Sequence, residues 1–243
     1  MKIVTLIVQA RMGSKRLPKK STLPLAGKPL IYRIMERILR CKEVNNFVLA
    51  IPNTKENKIL EKIKFNKKLK IFKGSENNLL ERYYFAAKKF NSDIVVRVPG
   101  DNCMPEPSEI DRIIRYYKKF KKDFFASNLS NIMNNGYPDG IGAEVFGFSF
   151  LQDLYKKNLN SNLKEHIHLN FFDYKKNIAK NANWCKVRTI KCPSLFRRPD
   201  ICLDVNVKKD YKFIKNIYDK LYLRNSKFNI KDVIRFIDYE KKK

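Results

Sequence analysis

The residues with the most chemical content open the chain. Gln9-Ala10-Arg11-Met12-Gly13-Ser14-Lys15-Arg16-Leu17-Pro18-Lys19-Lys20 gathers a glycine, a serine and five cations into one short stretch. Backbone N–H groups in a Gly-Ser turn and cationic side chains can converge on one anion, and a polyphosphate suits such a loop. The same residues also fit a solvated basic loop with no ligand. Neither G-x-x-x-x-G-K-[ST] nor G-x-G-x-x-G spacing is present, because Gly13 stands alone here.

A carboxylate is the natural complement. Asp101 follows the apolar run 93–98 through a Pro99-Gly100 corner. An aspartate there can hold Mg²⁺ on a nucleotide's phosphates, or simply accept N–H groups of its own turn. The loop cations favour the metal reading, since a triphosphate needs both. Asp204 and Asn206 offer further oxygen ligands. They lie two apart on an expected strand, 201–205, and so share a face. Asp210 falls where the next helix needs a cap. Both histidines lie in Glu165-His166-Ile167-His168. On a helix, positions i and i+2 diverge, and no cysteine or third histidine is near, so zinc is disfavoured. A substrate-pocket role and a structural role both remain. No G-x-S-x-G elbow supports a serine hydrolase.

The elements that must position these groups alternate. Expected strands cover 3–8, 46–51, 69–72 and 93–98. Expected helices cover 29–39, 54–63 (capped by Thr54), 79–90 and 107–120. Strands apolar at nearly every position are covered on both faces, as in a parallel sheet. Short connections in this order predict a doubly wound, mostly parallel α/β sheet, with ligands beyond the carboxyl ends of its strands. The second half is less regular. Strands are expected at 124–128, 143–148, 187–190 and 201–205, helices at 162–174, 210–222 and 230–239, and a turn-rich loop at 136–140.

Composition bounds the rest. The 243 residues, 44% hydrophobic, suffice for one large domain. No apolar run approaches the ~18 residues of a membrane span. The apolar start is too short for a secretory signal, so a cytoplasmic protein with no membrane partner is expected. Five scattered cysteines with no C-x-x-C argue against a disulfide framework or a zinc ribbon. The net charge of +28 points towards nucleic acid. Yet it comes mostly from lysine spread over the whole chain, which reads as a solvated surface and not as a dedicated nucleic-acid site.

Taken together, these motifs resemble the cytidylyltransferases. Residues 9–18, followed by Leu25-Ala26-Gly27-Lys28-Pro29-Leu30, are similar to the opening of CMP-Kdo synthetase, acylneuraminate cytidylyltransferase and, most of all, the spore-coat polysaccharide biosynthesis type. The likeness continues in order through Lys73-Gly74-Ser75-Glu76, Leu80-Glu81-Arg82-Tyr83-Tyr84, Val95-Val96-Arg97, Gly100-Asp101, Tyr137-Pro138-Asp139-Gly140, Glu144-Val145-Phe146 and Glu165-His166. It implies the Rossmann-like fold of the nucleotide-diphospho-sugar transferases with a small acceptor or dimerisation subdomain. Residues 1–128 would form the nucleotide half, 129–200 an acceptor insertion, and 201–243 a return to the core. A homodimer is plausible from the related enzymes.

The resemblance also implies an activity. An acceptor oxygen would attack the α-phosphorus of CTP, releasing pyrophosphate, with Mg²⁺ as cofactor. Arg16 and Lys20 match the family's charge-neutralising positions, with Arg11, Gly13 and Ser14 shaping the loop. Asp101 matches the metal aspartate, joined by Asp204 or Asn206. Backbone groups at Val8, Gln9 and Ala10, with Asn53, Ser75 and Gly100, are the nucleotide-binding candidates. Tyr137, Asp139, Glu144, Glu165 and His166 are candidates for the acceptor, a sugar acid or a phosphorylated sugar. Two departures stand out: Pro18-Lys19-Lys20 replaces the usual Pro-Gly-Lys, and Asn206 stands where many members carry the late metal aspartate. A glycosyltransferase of the same fold is the nearest rival, but Asp101-Asn102-Cys103 is no D-x-D motif.

Overall fold

The computed structural model describes residues 2–63, 65–181 and 183–242. Strand β1 (Val4–Gln9) leads through the basic loop into a two-stranded hairpin, β2 (Pro24–Leu25) and β3 (Lys28–Pro29), and then into α1 (Leu30–Ile38). There follow β4 (Asn46–Pro52), α2 (Lys58–Glu61), β5 (Leu69–Gly74), α3 (Leu79–Lys89), β6 (Ile94–Pro99) and α4 (Pro107–Lys118). The second half adds β7 (Phe125–Ser127), β8 (Glu144–Gly147), α5 (Phe148–Lys156), α6 (Ser161–Glu165), the hairpin β9 (Phe172–Asp173) and β10 (Ile178–Ala179), β11 (Val187–Arg188), α7 (Lys208–Leu221) and α8 (Ile230–Glu240).

The main sheet has strand order β11-β7-β8-β6-β1-β4-β5. Pairings β5–β4–β1–β6 are parallel, while β8 runs antiparallel to both β6 and β7. This is the doubly wound α/β sheet. The central strands β1, β4 and β6 are mostly apolar because each face meets its own core. In β1, Val4, Leu6 and Val8 join the cluster under α1, α4, α7 and α8, while Ile7 joins the one under α3 and α5. The chain winds outward from β1 to β5, then crosses back to lay β6 on the other flank of β1. The order therefore reverses between β1 and β6, where open sheets of this class bind ligands.

Three expectations are corrected. Helix 162–174 is broken: α6 stops at Glu165, a 3-10 turn covers Ile167–Asn170, and the chain enters β9. Ile167, Phe171 and Phe172 are all buried, and a single helix would leave adjacent Phe171 and Phe172 diverging. The Asn170 side chain takes over the freed carbonyls of Leu163 and Ile167, donating to each at 3.1 Å. Segment 201–205 keeps its alternation, with Ile201, Leu203 and Val205 buried, but it is no strand. Cys202 bridges Asp139 and Asp204 bridges Asn102, so residues two apart pair with different loops and no ladder forms. The helix expected over 54–63 shortens to α2. Thr54 does not cap it; its hydroxyl instead accepts from the Asn57 side chain at 2.7 Å.

Candidate active site

A cleft of about 630 Å³ opens beyond the carboxyl ends of β1 and β6. The two ends approach so closely that only glycine fits at position 100, where a Cβ would lie 2.0 Å from the Gln9 carbonyl oxygen. That contact sets Asp101 directly beside the start of the basic loop.

The loop is anchored from below. The Met12 N–H donates to Asn57 Oδ1 at 2.9 Å, with Asn57 fully buried, and the Ser21 hydroxyl donates to the Arg11 carbonyl at 3.1 Å. Lys19 sits in the left-handed region at φ 57°, the conformation a glycine adopts without strain. The lysine thus preserves the turn that delivers Lys20 inward. Lys20 Nζ lies 3.2 Å from Asp101 Oδ2 and donates to the Val205 carbonyl at 2.7 Å. Arg16 reaches across to donate to Asn206 Oδ1 at 2.6 Å, and Asn206 in turn donates to Asp204 Oδ2. Asp210 does close the start of α7, its carboxylate accepting from the Asn206 and Val207 N–H groups at 2.8 and 2.9 Å.

The opposite wall comes from the second half of the chain. Arg11 pairs with Glu165 at 2.6 Å, joining the loop to the end of α6. Deeper in, Arg97 of β6 pairs with Glu144 of β8 at 2.7 Å, directly across the antiparallel register. Glu144 also accepts from the Tyr174 hydroxyl at 2.8 Å. Burial works against the Arg97 charge, but the adjacent Glu144 carboxylate outweighs it and raises the pKa. Burial, with help from the Arg97 charge, pushes His168 down to about 4, so its imidazole is neutral. At the near end, burial and the Asp204 and Asp101 carboxylates push Asp139 up to about 7.

Of the residues singled out in the sequence, Gln9, Ala10, Arg11, Ser14, Arg16, Lys20, Gly100, Asp101, Asp139, Glu144, Glu165, His166 and Asp204 line this cleft. Others do not. Val8 is buried inside β1, and Gly13 sits on the outside of the loop with room for a Cβ. Asn53 lies beyond the end of β4, exposed, with its backbone N–H on the Gly74 carbonyl. The Ser75 hydroxyl accepts from the Asn78 N–H in the turn before α3. Tyr137 is fully buried beneath α4, its hydroxyl bonded to Glu109 and Arg112. Asn206 touches the cleft only through its bonds to Arg16 and Asp204.

The sequence pattern gives no site role to Arg82, Arg97 and Tyr174, which also line the cleft, as does His168, left open there between a pocket role and a structural one. A signal existed for Arg97, a charge inside an otherwise apolar buried strand, which demands a partner.

A family model described as cytidylyltransferase matches residues 5–232. The chain belongs to the cytidylyltransferase family. Among relatives of this cytidylyltransferase, the spore coat polysaccharide biosynthesis protein SpsF of Bacillus subtilis is 29% identical over 89% of this chain and 87% of its own. A 3-deoxy-manno-octulosonate cytidylyltransferase of Geobacter sulfurreducens is 30% identical over 46% of this chain and 44% of its own. The solved structure of a cytidylyltransferase from Leptospira borgpetersenii superposes with a TM-score of 0.84 at 26% identity, covering 100% of this chain and 96% of that one. Among the described residues of the present cytidylyltransferase, no helix is long and apolar enough to cross a membrane.

Proposed function

We propose that this cytidylyltransferase transfers CMP from CTP to a sugar acid or phosphorylated sugar, releasing pyrophosphate, as a step in making surface-polysaccharide precursors. One observation carries the reading. The loop cations Arg11, Lys15, Arg16 and Lys20 line the same cleft as the Asp101 and Asp204 carboxylates, beyond the carboxyl ends of β1 and β6 where the strand order reverses. Cations gathered at one end of a cleft with carboxylates beside them suit a polyphosphate carried with a divalent ion.

The chain's own groups supply the chemistry by placement. Arg16 and Lys20 face the cleft from the loop and would stabilise charge developing on the departing pyrophosphate. Both are already tethered, to Asn206 and to Asp101 and Val205, so little ordering is needed when phosphates arrive. Gln9 and Ala10 present polar groups to the base at the end of β1. Glu144, Glu165, His166 and Asp139 present acceptors and donors to the sugar. The carboxylates of Asp101 and Asp204 are an oxygen donor set suited to Mg²⁺, which when bound neutralises phosphate charge. The reading extends to a cytoplasmic homodimer.

The rival nucleic-acid reading fares worse on charge. The cleft is lined by Arg11, Lys15, Arg16, Lys20, Arg82 and Arg97, but equally by Glu76, Asp101, Asp139, Glu144, Glu165 and Asp204. A groove for a polyanion would carry one sign. The test is a pyrophosphate-release screen of the four NTPs with Mg²⁺ against sugar acids and phosphorylated sugars. Turnover is expected with CTP. Turnover confined to a purine nucleotide, or salt-sensitive DNA or RNA binding with no affinity for CTP, would overturn the assignment.

A further inference from the structure

Arg82 is a charge in the cleft without a counter-charge. Of the other cations there, Arg11, Lys20 and Arg97 each meet a carboxylate oxygen within 3.2 Å. Arg82 lines the same cleft and is 2% exposed, and among the described residues it has no carboxylate within ion-pair distance. Its side chain makes one hydrogen bond, from Nη1 to the Ala50 carbonyl, and that bond is long at 3.5 Å. Burial lowers its pKa to about 10, which leaves it charged at neutral pH. A buried guanidinium with so few partners is costly until a ligand supplies acceptors.

The fold fixes where those acceptors must lie. Arg82 stands in the first turn of α3, whose start Asn78 caps by accepting from the Glu81 N–H at 3.0 Å. Its stem presses on the last residue of β5, where a Cβ on Gly74 would lie 3.1 Å from Arg82 Cγ. Ala50, near the end of β4, takes the other side of the guanidinium. Strands β4 and β5 flank β1 on one side, whereas β6 and β8 lie on the other. With phosphates at the corner of β1 and β6 and the sugar towards β8, the base falls on the β4 flank.

The sign of the surroundings decides the kind of acceptor. The carboxylates whose charges act on Arg82, those of Glu165 and Glu76, also line the cleft. Both would repel an anionic ligand group. A neutral ring with acceptor atoms towards Arg82 and an amino group towards a carboxylate meets no such penalty. Cytosine carries that pattern, because O2 and N3 accept and the 4-amino group donates. Uracil presents a donor, N3–H, where cytosine presents an acceptor, and a guanidinium can only donate.

We propose that Arg82 selects cytosine by donating to O2 and N3 of the base, with Glu76 accepting from the 4-amino group. This role rests on the nucleotide reading and adds to it the residue that sets base choice. A planar fork of N–H donors suits two adjacent acceptors, and its charge strengthens both bonds.

Calorimetry on the full-length protein with Mg²⁺ and no acceptor compares CTP, UTP and 3-deaza-CTP, in which a C–H replaces N3. The wild type should bind CTP at least ~10-fold more tightly than either analogue. Arg82→Met and Arg82→Gln should each erase most of the preference over UTP by weakening CTP. Neither should lower the melting temperature, since each removes a buried charge that has no counter-charge. Equal binding of CTP and 3-deaza-CTP, or a preference for CTP over UTP that survives in either variant, would overturn the assignment. A variant that keeps the preference but melts lower would make Arg82 a structural residue, and one that keeps it but binds a sugar acid more weakly would place Arg82 at the acceptor. In all these cases the wild type still binds CTP, so the nucleotide reading stands. A wild type that binds no CTP refutes that reading itself.

Discussion

Glu144→Leu should be among the most destabilising single substitutions in the molecule. The Arg97 and Glu144 side chains are 6% and 0% exposed and meet at 2.7 Å. Arg97 already has one unsatisfied nitrogen, its Nε. Removing the carboxylate leaves a buried guanidinium with no counter-charge, and breaking such a pair costs ~3–5 kcal/mol. For a chain of this size each kcal/mol lowers the melting temperature by ~2–4 °C, so a fall of about 6–20 °C is expected. The double variant Arg97→Met, Glu144→Leu removes both charges and both desolvation costs. The Tyr174 hydroxyl keeps its bond to Ser127 at 2.7 Å, so little new is orphaned. The double variant should therefore recover to within ~1 kcal/mol of the wild type. Urea and thermal unfolding of the three variants measure this directly. The reasoning fails if the single variant loses under ~1 kcal/mol, or if the double variant is as unstable as the single. A stable double variant that still loses acceptor turnover would show that the pair serves the sugar end of the cleft and is not needed for folding.

Lys20→Ala and Asp101→Ala should each lower turnover by ~10²–10³ while leaving the unfolding curve nearly unchanged, because each removes a charge from the phosphate end; steady-state pyrophosphate release would expose wild-type rates. Lys19→Gly should keep activity and change stability by no more than ~1 kcal/mol, since relief of the left-handed strain and the added chain entropy nearly cancel; a large loss in urea unfolding would mean that the lysine side chain itself holds the loop. His168 carries a pH signature. Burial holds its pKa at about 4, below the ordinary 6.5, so its contribution is present above about pH 6.5 and is lost as pH falls towards 4. The loss is ~3 kcal/mol at most, and His168→Gln should flatten that limb of the stability–pH curve.

The first half of this fold is readable because its strands are buried on both faces. Residues 4–8, 47–51 and 94–98 are nearly continuous apolar runs, and the punctuation between them, such as Pro99-Gly100, falls at real strand ends. Asp101 and the loop cations are readable for the same reason, since they follow such runs directly. The second half resists. Ile167 and Phe171 keep α-helical spacing through a segment that is only a 3-10 turn, because tertiary burial of adjacent aromatics overrides local propensity. Tyr137 sits in a family motif two residues before Asp139, yet the segment between them is no strand and does not keep the alternation that would put both on one face, so one side chain goes under α4 and the other into the cleft. The meeting of Asp139 with Cys202 and Asp204 depends on isolated bridges between loops, which have no periodicity to read.

The two departures from the family pattern bear on one another through geometry. At position 19, side-chain identity matters little, because what the site requires is a backbone turn, and lysine at φ 57° supplies it. At position 206 the identity matters, because a carboxylate has become an amide. The amide spans two neighbours, accepting from Arg16 and donating to Asp204. A carboxylate there could still accept from Arg16, but it would face the Asp204 carboxylate as a like charge. The same alternation that puts Asn206 beside Asp204 puts Cys202 on its other side. Asn206→Asp should therefore not simply restore a family ligand. It should raise repulsion against Asp204 and make divalent-ion binding more favourable in calorimetry. If affinity falls, the metal reading of this corner is wrong, because an added carboxylate at a true cation site cannot weaken the cation's electrostatic hold.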